Sequence, residues 1–202
     1  MYRKHHTRGI IIWGKTESGD SRRVNIFTES FGLLSARVQG GRNIHSKLRA
    51  ASQDFSSGEF SLVRGKSGWR VVSARSDKNL FETFRNQPEK LKIIGNILNL
   101  IKKLVDEEEA HTDLFEIMLN FFNFLEKTPN FAEASLGKQE SDIALAECLT
   151  LVRILHSLGY MRHDPELTIP LSSCEIQIAD LETIAPRRSK MVQLINESLK
   201  AT

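Results

Sequence analysis

The residues best suited to chemistry in this sequence are cations gathered around a glycine turn. Val38-Gln39-Gly40-Gly41-Arg42-Asn43-Ile44-His45-Ser46-Lys47-Leu48-Arg49 joins two glycines to three cations. Paired glycines let a backbone approach a ligand closely, and Arg42, Lys47 and Arg49 can then neutralise successive phosphates, an attraction that weakens steeply with salt. A solvated hairpin loop has the same composition. Arg22, Arg23 and Arg37 fall in neighbouring strand-like runs and tip the balance towards phosphate binding. Unpaired bases would also need flat apolar rings. Phe27 shares a face with Arg23, and Trp13 and Trp69 are the two tryptophans, so each is a candidate stacking platform against the competing role of core or interdomain packing. Alternation leaves Phe27 outside, which makes it the favoured base-stacker.

Signs of catalysis are missing. The sequence has no G-x-x-x-x-G-K-[ST] phosphate loop and no H-E-x-x-H or clustered carboxylate pattern, so neither a nucleotide-driven motor nor a metal hydrolase is expected. Glu107, Glu108 and Glu109 are consecutive and would face different directions on a helix, so they read as a solvated helix end. Cys148, His156, His163 and Cys174 alone resemble metal ligands. Their spacing matches no closed zinc pattern, and Cys148 falls beside an apolar stripe, which favours a buried free thiol. His5, His6 and His111 have no identifiable geometry and read as surface residues. The expectation is a protein that is not an enzyme and has no cofactor.

Charge is distributed unevenly along the 202 residues. Residues 1–75 hold 14 Lys and Arg against 5 Asp and Glu, while residues 76–202 hold 14 against 20, giving +9 and −6 within a net charge of +3. Folding does not require such asymmetry, and it points to a polyanion, nucleic acid above all, meeting the N-terminal half. Mutual attraction of the two halves is the alternative. With 40% hydrophobic and 26% charged residues the composition is that of a globular protein and excludes collagen-like or wholly disordered chains. No apolar run reaches membrane-spanning length, the N-terminus leads directly into a strand-like run, and two cysteines do not form a secreted framework. A cytoplasmic, nucleoid-associated protein with no membrane partner is expected.

These side chains must be positioned by two kinds of element. Five short β-branched or alternating runs, at residues 9–14, 22–28, 32–39, 55–64 and 69–75, are separated by Gly, Ser and Asp. Period two places Val24, Ile26 and Thr28 on one face and Arg23, Asn25 and Phe27 on the other, and likewise Leu34, Ala36 and Val38 opposite Leu33, Ser35, Arg37 and Gln39. Five such strands suggest a closed barrel of the OB type, which leaves no exposed edge. After residue 76 the period becomes helical. Pro88 opens a helix with an apolar stripe to Val105, a second covers residues 113–127, a third starts at Ser141 as N-cap and stops at Gly159, and a last covers 189–200. The expected fold is α+β and multidomain: a basic OB-fold over residues 1–76 and an α-helical bundle over 77–202.

The N-terminal half also resembles a known family. Gly9-Ile10-Ile11-Ile12, Gly19-Asp20-Ser21-Arg22-Arg23-Val24-Asn25-Ile26-Phe27-Thr28-Glu29 and Phe31-Gly32-Leu33-Leu34-Ser35-Ala36-Arg37-Val38-Gln39-Gly40-Gly41-Arg42 resemble, in that order, the bacterial recombination and DNA-repair mediators of the RecO family. Ser46-Lys47-Leu48-Arg49-Ala50-Ala51-Ser52-Gln53-Asp54-Phe55 is similar to that family's basic segment, with Asp54 where a proline is usual. In the helical half the likeness rests on helix order and on Leu158-Gly159-Tyr160 with Pro165 and Leu167.

The resemblance implies an OB-fold followed by a helical domain, binding of single- and double-stranded DNA, annealing of complementary strands, and exchange of single-strand-binding protein for recombinase together with RecR. It also implies a pocket in the helical domain for the acidic C-terminal tail of single-strand-binding protein, for which Lys102, Lys103 and Arg153 are basic candidates, with ordinary solvated helix residues as the alternative. Carried over residue by residue are Arg22, Arg23, Arg37, Arg42, Lys47 and Arg49, as phosphate contacts. Many members carry four zinc-binding cysteines after the long helix. Cys174 stands alone there, so this reads as a short form without the zinc element, carrying no metal site and an abbreviated C-terminal portion. Two other functions compete: a protein adaptor of the repair machinery that does not engage DNA, and an OB-fold RNA-binding factor.

Overall fold

The computed structural model describes residues 3–41, 46, 48–129, 138–161 and 174–200. The chain divides into two compact units, Met1–Thr112 and Asp113–Thr202.

Unit one is built on five strands, β1 (Lys4–Thr16), β2 (Arg22–Thr28), β3 (Gly32–Val38), β4 (Ser56–Gly65) and β5 (Gly68–Asn79). They close into a barrel in the order β1-β2-β3-β5-β4, antiparallel except for the parallel β3–β5 pair. This is the five-stranded OB-type barrel expected from the strand runs. The inward positions of the alternating runs make its core: Ile11, Val24, Ile26, Leu34, Ala36, Val38, Phe60, Leu62, Trp69 and Val71 are all buried together. A one-turn helix, α1 (Leu48–Ala51), lies between β3 and β4, and α2 (Leu80–Phe84) follows β5, capped by the Asn79 side chain accepting from the Glu82 N–H.

The long helix α3 (Pro88–Leu104) belongs to the same compact unit as the barrel, and it packs on β1. Its apolar stripe, Ile94, Ile97, Leu98, Ile101 and Leu104, is buried as period 3.6 requires. The segment after it is exposed at Glu107, Glu108 and Glu109, as expected of a solvated helix end, and its backbone is docked on β3 as well. Glu107 bridges to Leu33, the Glu108 N–H donates to the Leu33 carbonyl at 2.9 Å, and Glu108 has the left-handed φ of 63° that this docking needs. Gly32, at φ 61°, makes room: a Cβ there would collide with the Glu109 carbonyl. The three charges do face solvent, and the backbone pairing that fixes this stretch has no signature in their side chains.

Unit two contains α4 (Thr112–Lys127) from its second residue onward, α5 (Lys138–Ser157), α6 (Ile178–Ile184), a 3₁₀ turn (Ala185–Arg187) and α7 (Arg188–Lys200). The helix α5 begins at Lys138, so Ser141 lies within it and is not its N-cap. Cys148 is a buried free cysteine whose thiol is pushed up by burial. Arg153 is not a solvated helix residue. Its side chain is 1% exposed, its Nη1 donates to the Glu175 carbonyl at 3.0 Å, and it thereby ties α5 to the chain entering α6. No described helix is long and apolar enough to cross a membrane.

Candidate nucleic-acid interface

Strand register assembles a feature of the barrel surface that local sequence does not show. Lys15 stands opposite Arg23, Arg23 opposite Arg37, and Arg37 opposite Arg70, on β1, β2, β3 and β5 in turn. Facing residues in a ladder project to the same side, and the alternate positions on these strands fill the core, so the four cations form one row on the outer face. Strands lie about 4.8 Å apart, so the row is roughly 14 Å long. Like charges directly opposite one another destabilise a sheet, so four in a line have a structural cost that is offset only in part by the carboxylate of Glu17.

The row runs between two turns. At one end is the β1–β2 turn, where the Glu17 N–H donates to the Ser21 carbonyl at 3.0 Å. Glu17 places its carboxylate between two members of the row, accepting from Arg23 Nε at 2.6 Å and lying 3.5 Å from Arg37 Nε. Arg37 also donates to Ser21 Oγ at 3.0 Å. At the other end, the β4–β5 hairpin and Arg37 enclose a groove of about 320 Å³ beside Lys66 and Arg70. In OB barrels the β2–β3 face and the β1–β2 and β4–β5 loops are the surfaces used for oligonucleotides.

The six carried-over cations are distributed as follows. Arg23 and Arg37 lie in the outer row. Arg22, opposite Val38, lies on the inner side at the mouth of the barrel, where it donates to the Gly14 carbonyl at 3.2 Å and pairs with Asp54. Asp54, where the family usually has proline, is thus the partner of one of the expected phosphate contacts. Arg49 is exposed on α1. Arg42 and Lys47 lie outside the described residues. Lys15 and Arg70, which sequence reading did not single out, complete the row. Lys15 reaches it because a bulge between Ile11 and Trp13 shifts the register of β1, and Arg70 because the barrel closes through a parallel pair.

The candidate stacking rings separate cleanly. Phe27 is fully buried, which corrects the expectation that it is an exposed base-stacker. It does project from the outer face, as alternation requires, but with its ladder neighbours Ile10 and Leu33 it forms an apolar row that is itself buried. Alternation assigns a side chain to a face and says nothing about what covers that face. Trp69 is 7% exposed and belongs to the core. It is held by Phe31 and His5 at ring separations of 5.3 and 5.6 Å and by its Nε1 donating to Glu108 Oε1 at 3.0 Å. Arg64 pairs with the other oxygen of that carboxylate at 2.8 Å. Trp13 is half-buried on the outer face, opposite Asn25 and two ladder positions from the Lys15–Arg23 pair.

A larger cleft of about 390 Å³, between Arg8, Arg75 and Ser61, has a different electrostatic character. Arg8 makes a bidentate pair with Glu29 at 2.7 and 2.9 Å, and Arg75 pairs with Glu59 at 3.4 Å, so its cations are balanced in place. Among the described residues no cluster of His, Cys, Asp and Glu has metal-binding geometry.

Fold and surface together define a protein with an N-terminal OB-type barrel, cationic on one outer face, followed by helices. The first 76 residues match the family model described as recombination protein O N terminal. Similar proteins named DNA repair protein RecO include those of Acetivibrio thermocellus (28% identical over 76% of this chain and 57% of the relative), Prosthecochloris aestuarii (30% over 89% and 63%) and Chlorobium limicola (27% over 92% and 66%). The chain is thus similar to RecO proteins along most of its length, and its barrel matches the model of their N-terminal part. It spans about half to two thirds of the length of the curated relatives it matches.

Proposed function

We propose that this protein is a non-catalytic DNA-binding recombination mediator acting in DNA repair in the cytoplasm. In this reading it binds single- and double-stranded DNA, anneals complementary strands, and works with RecR and the tail of single-strand-binding protein to load recombinase. The observation that carries the reading is the outward row Lys15, Arg23, Arg37 and Arg70 on an OB-type barrel. Such a row neutralises phosphates with little regard to sequence, and a cationic surface that lowers the repulsion between two polyanions accelerates annealing without active-site chemistry. The match to the family model and the names of the relatives support the DNA-repair setting.

The adaptor reading draws on a specific observation: Arg22, Arg23 and Arg37 all have carboxylate partners within the chain. Annealing of two complementary labelled oligonucleotides by the purified protein, in rising salt and with or without single-strand-binding protein, tests the proposal. Acceleration that fades with salt and survives coating is expected of a mediator. Acceleration on bare DNA alone indicates a DNA binder without the partner surface, and none at all favours the adaptor. Competition between DNA and RNA of one sequence separates the RNA-binding alternative.

A further inference from the structure

Trp13 owes its position to a break in the regularity of β1. Strict alternation from Ile11, which is in the core, would turn Trp13 inward. The bulge between Ile11 and Trp13 instead sets Trp13 opposite Asn25, on the outer side of the sheet. Bulges recur at functional surfaces, where they re-aim side chains, and this one turns both Trp13 and Lys15 outward. The ring so placed stands next to the cationic row, with Lys15 two residues along the same strand and Arg23 beside Asn25 on the next.

Two further observations mark the indole as unfinished. Its Nε1–H is buried and, among the described residues, meets no acceptor, although a buried indole N–H ordinarily has one. Over its face, 4.7 Å from the ring centroid, lies the ammonium of Lys102 from α3. A cation over an indole is a modest attraction, about 0.5–1 kcal/mol at an exposed site, carried on a flexible four-carbon stem.

We propose that Trp13 is the stacking platform for an unpaired nucleobase and that Lys102 is its displaceable cover. This rests on the DNA-binding reading above and narrows it: the row holds phosphates of any strand, whereas Trp13 selects strands with free bases. When a base slides onto the indole, Lys102 leaves the ring and its charge becomes available to the adjoining phosphate. A base paired within a duplex has both faces occupied and cannot make this contact.

The two tryptophans make the test direct, because Trp69 is enclosed in the core and bonded to Glu108. Intrinsic fluorescence of the full chain is titrated with oligothymidylate of about 20 nucleotides, and binding is followed separately by anisotropy of the labelled oligonucleotide. Expected are quenching by the single strand but not by the corresponding duplex, loss of quenching in Trp13→Phe, and affinity for the single strand weakened about tenfold in Trp13→Leu with duplex affinity kept. Trp13→Phe, which retains a ring, recovers most of that affinity. Single-strand binding without quenching, quenching that persists in Trp13→Phe, or wild-type affinity in Trp13→Leu overturns the assignment of Trp13 while leaving DNA binding intact. No binding by the wild-type protein overturns the DNA-binding reading, and this one with it. Should a variant fail to fold, iodide quenching of the wild-type protein decides: protection by the single strand supports the platform, and no protection refutes it.

Discussion

Glu17 and Arg23 are joined at 2.6 Å across the β1–β2 turn, and the same carboxylate lies 3.5 Å from Arg37. One anion is thus shared by the two central members of the cationic row, occupying space where a phosphate would compensate the same charges. Glu17→Gln is expected to raise affinity for DNA several-fold at low salt. Because the Arg23 and Glu17 side chains are 36% and 23% exposed, the loss of stability should stay below about 1 kcal/mol. Anisotropy titration beside thermal unfolding checks both; unchanged affinity would mean that the row does not meet the phosphates.

Arg70 has no local sequence signature and enters the row only through the parallel pairing with β3. Arg70→Ala should weaken DNA binding uniformly across sequences and flatten the dependence of log affinity on log salt by roughly 0.7 for single strands. Affinities measured over a salt series give that slope directly. A slope identical to wild type would remove Arg70 from the interface.

Phe27→Ala should act on the fold. Truncating a fully buried phenylalanine costs about 3–5 kcal/mol, and loss of DNA binding should track loss of folded protein. Chemical denaturation followed by far-ultraviolet dichroism measures it. A variant of native stability that binds DNA poorly would restore the discarded role of this ring.

Gly32→Ala introduces a Cβ against the Glu109 carbonyl at a backbone position of φ 61°. Destabilisation of about 2–3 kcal/mol is expected, together with faster amide exchange at Glu108, whose N–H is bonded to Leu33. Exchange rates resolved by residue distinguish undocking of this segment from general loosening.

Glu29 supplies a pH dependence. The hydrogen bond from Arg8 holds its carboxyl below the ordinary glutamate range, against a desolvation that acts in the opposite sense. Since the folded value is the lower one, the unfolded chain binds the proton more readily. The stabilisation is therefore complete above the ordinary glutamate range and is lost as pH falls through the depressed value. Both side chains are partly exposed, so the effect is worth about 0.2–1 kcal/mol. Arg8→Gln should lower stability at neutral pH by about that amount, and the deficit should vanish in acid, below the depressed value; denaturation followed across pH checks it, and equal stability of the two proteins at neutral pH would make the pair negligible.

Features set by short-range periodicity were legible from the residues. The β2 run, expected over residues 22–28, is Arg22–Thr28 in the fold, and the α3 stripe is buried where its spacing places it. Arg23 and Arg37 lie on the outer face where alternation puts them, because they sit on regular strands. What escaped was set by breaks in regularity or by distance along the chain. One extra residue in β1 moved Trp13 and Lys15 to the outer face, a parallel pair brought Arg70 to Arg37, and a docked backbone made the still exposed Glu108 a partner of Trp69 and Arg64. Phe27 failed for a different reason, since burial of an outer face depends on elements far away in sequence.

The parallel β3–β5 contact also carries a kinetic and thermodynamic consequence. Arg37 and Arg70 become neighbours only after the chain between them has folded back and the barrel has shut, so a complete cationic row exists in the closed barrel and in no open intermediate. A polyanion that prefers the complete row binds the closed state selectively and shifts the opening equilibrium in its favour by mass action. Ligand occupancy and barrel closure are in this way one linked equilibrium, and slow exchange of the β3 and β5 amides would be its most sensitive gauge.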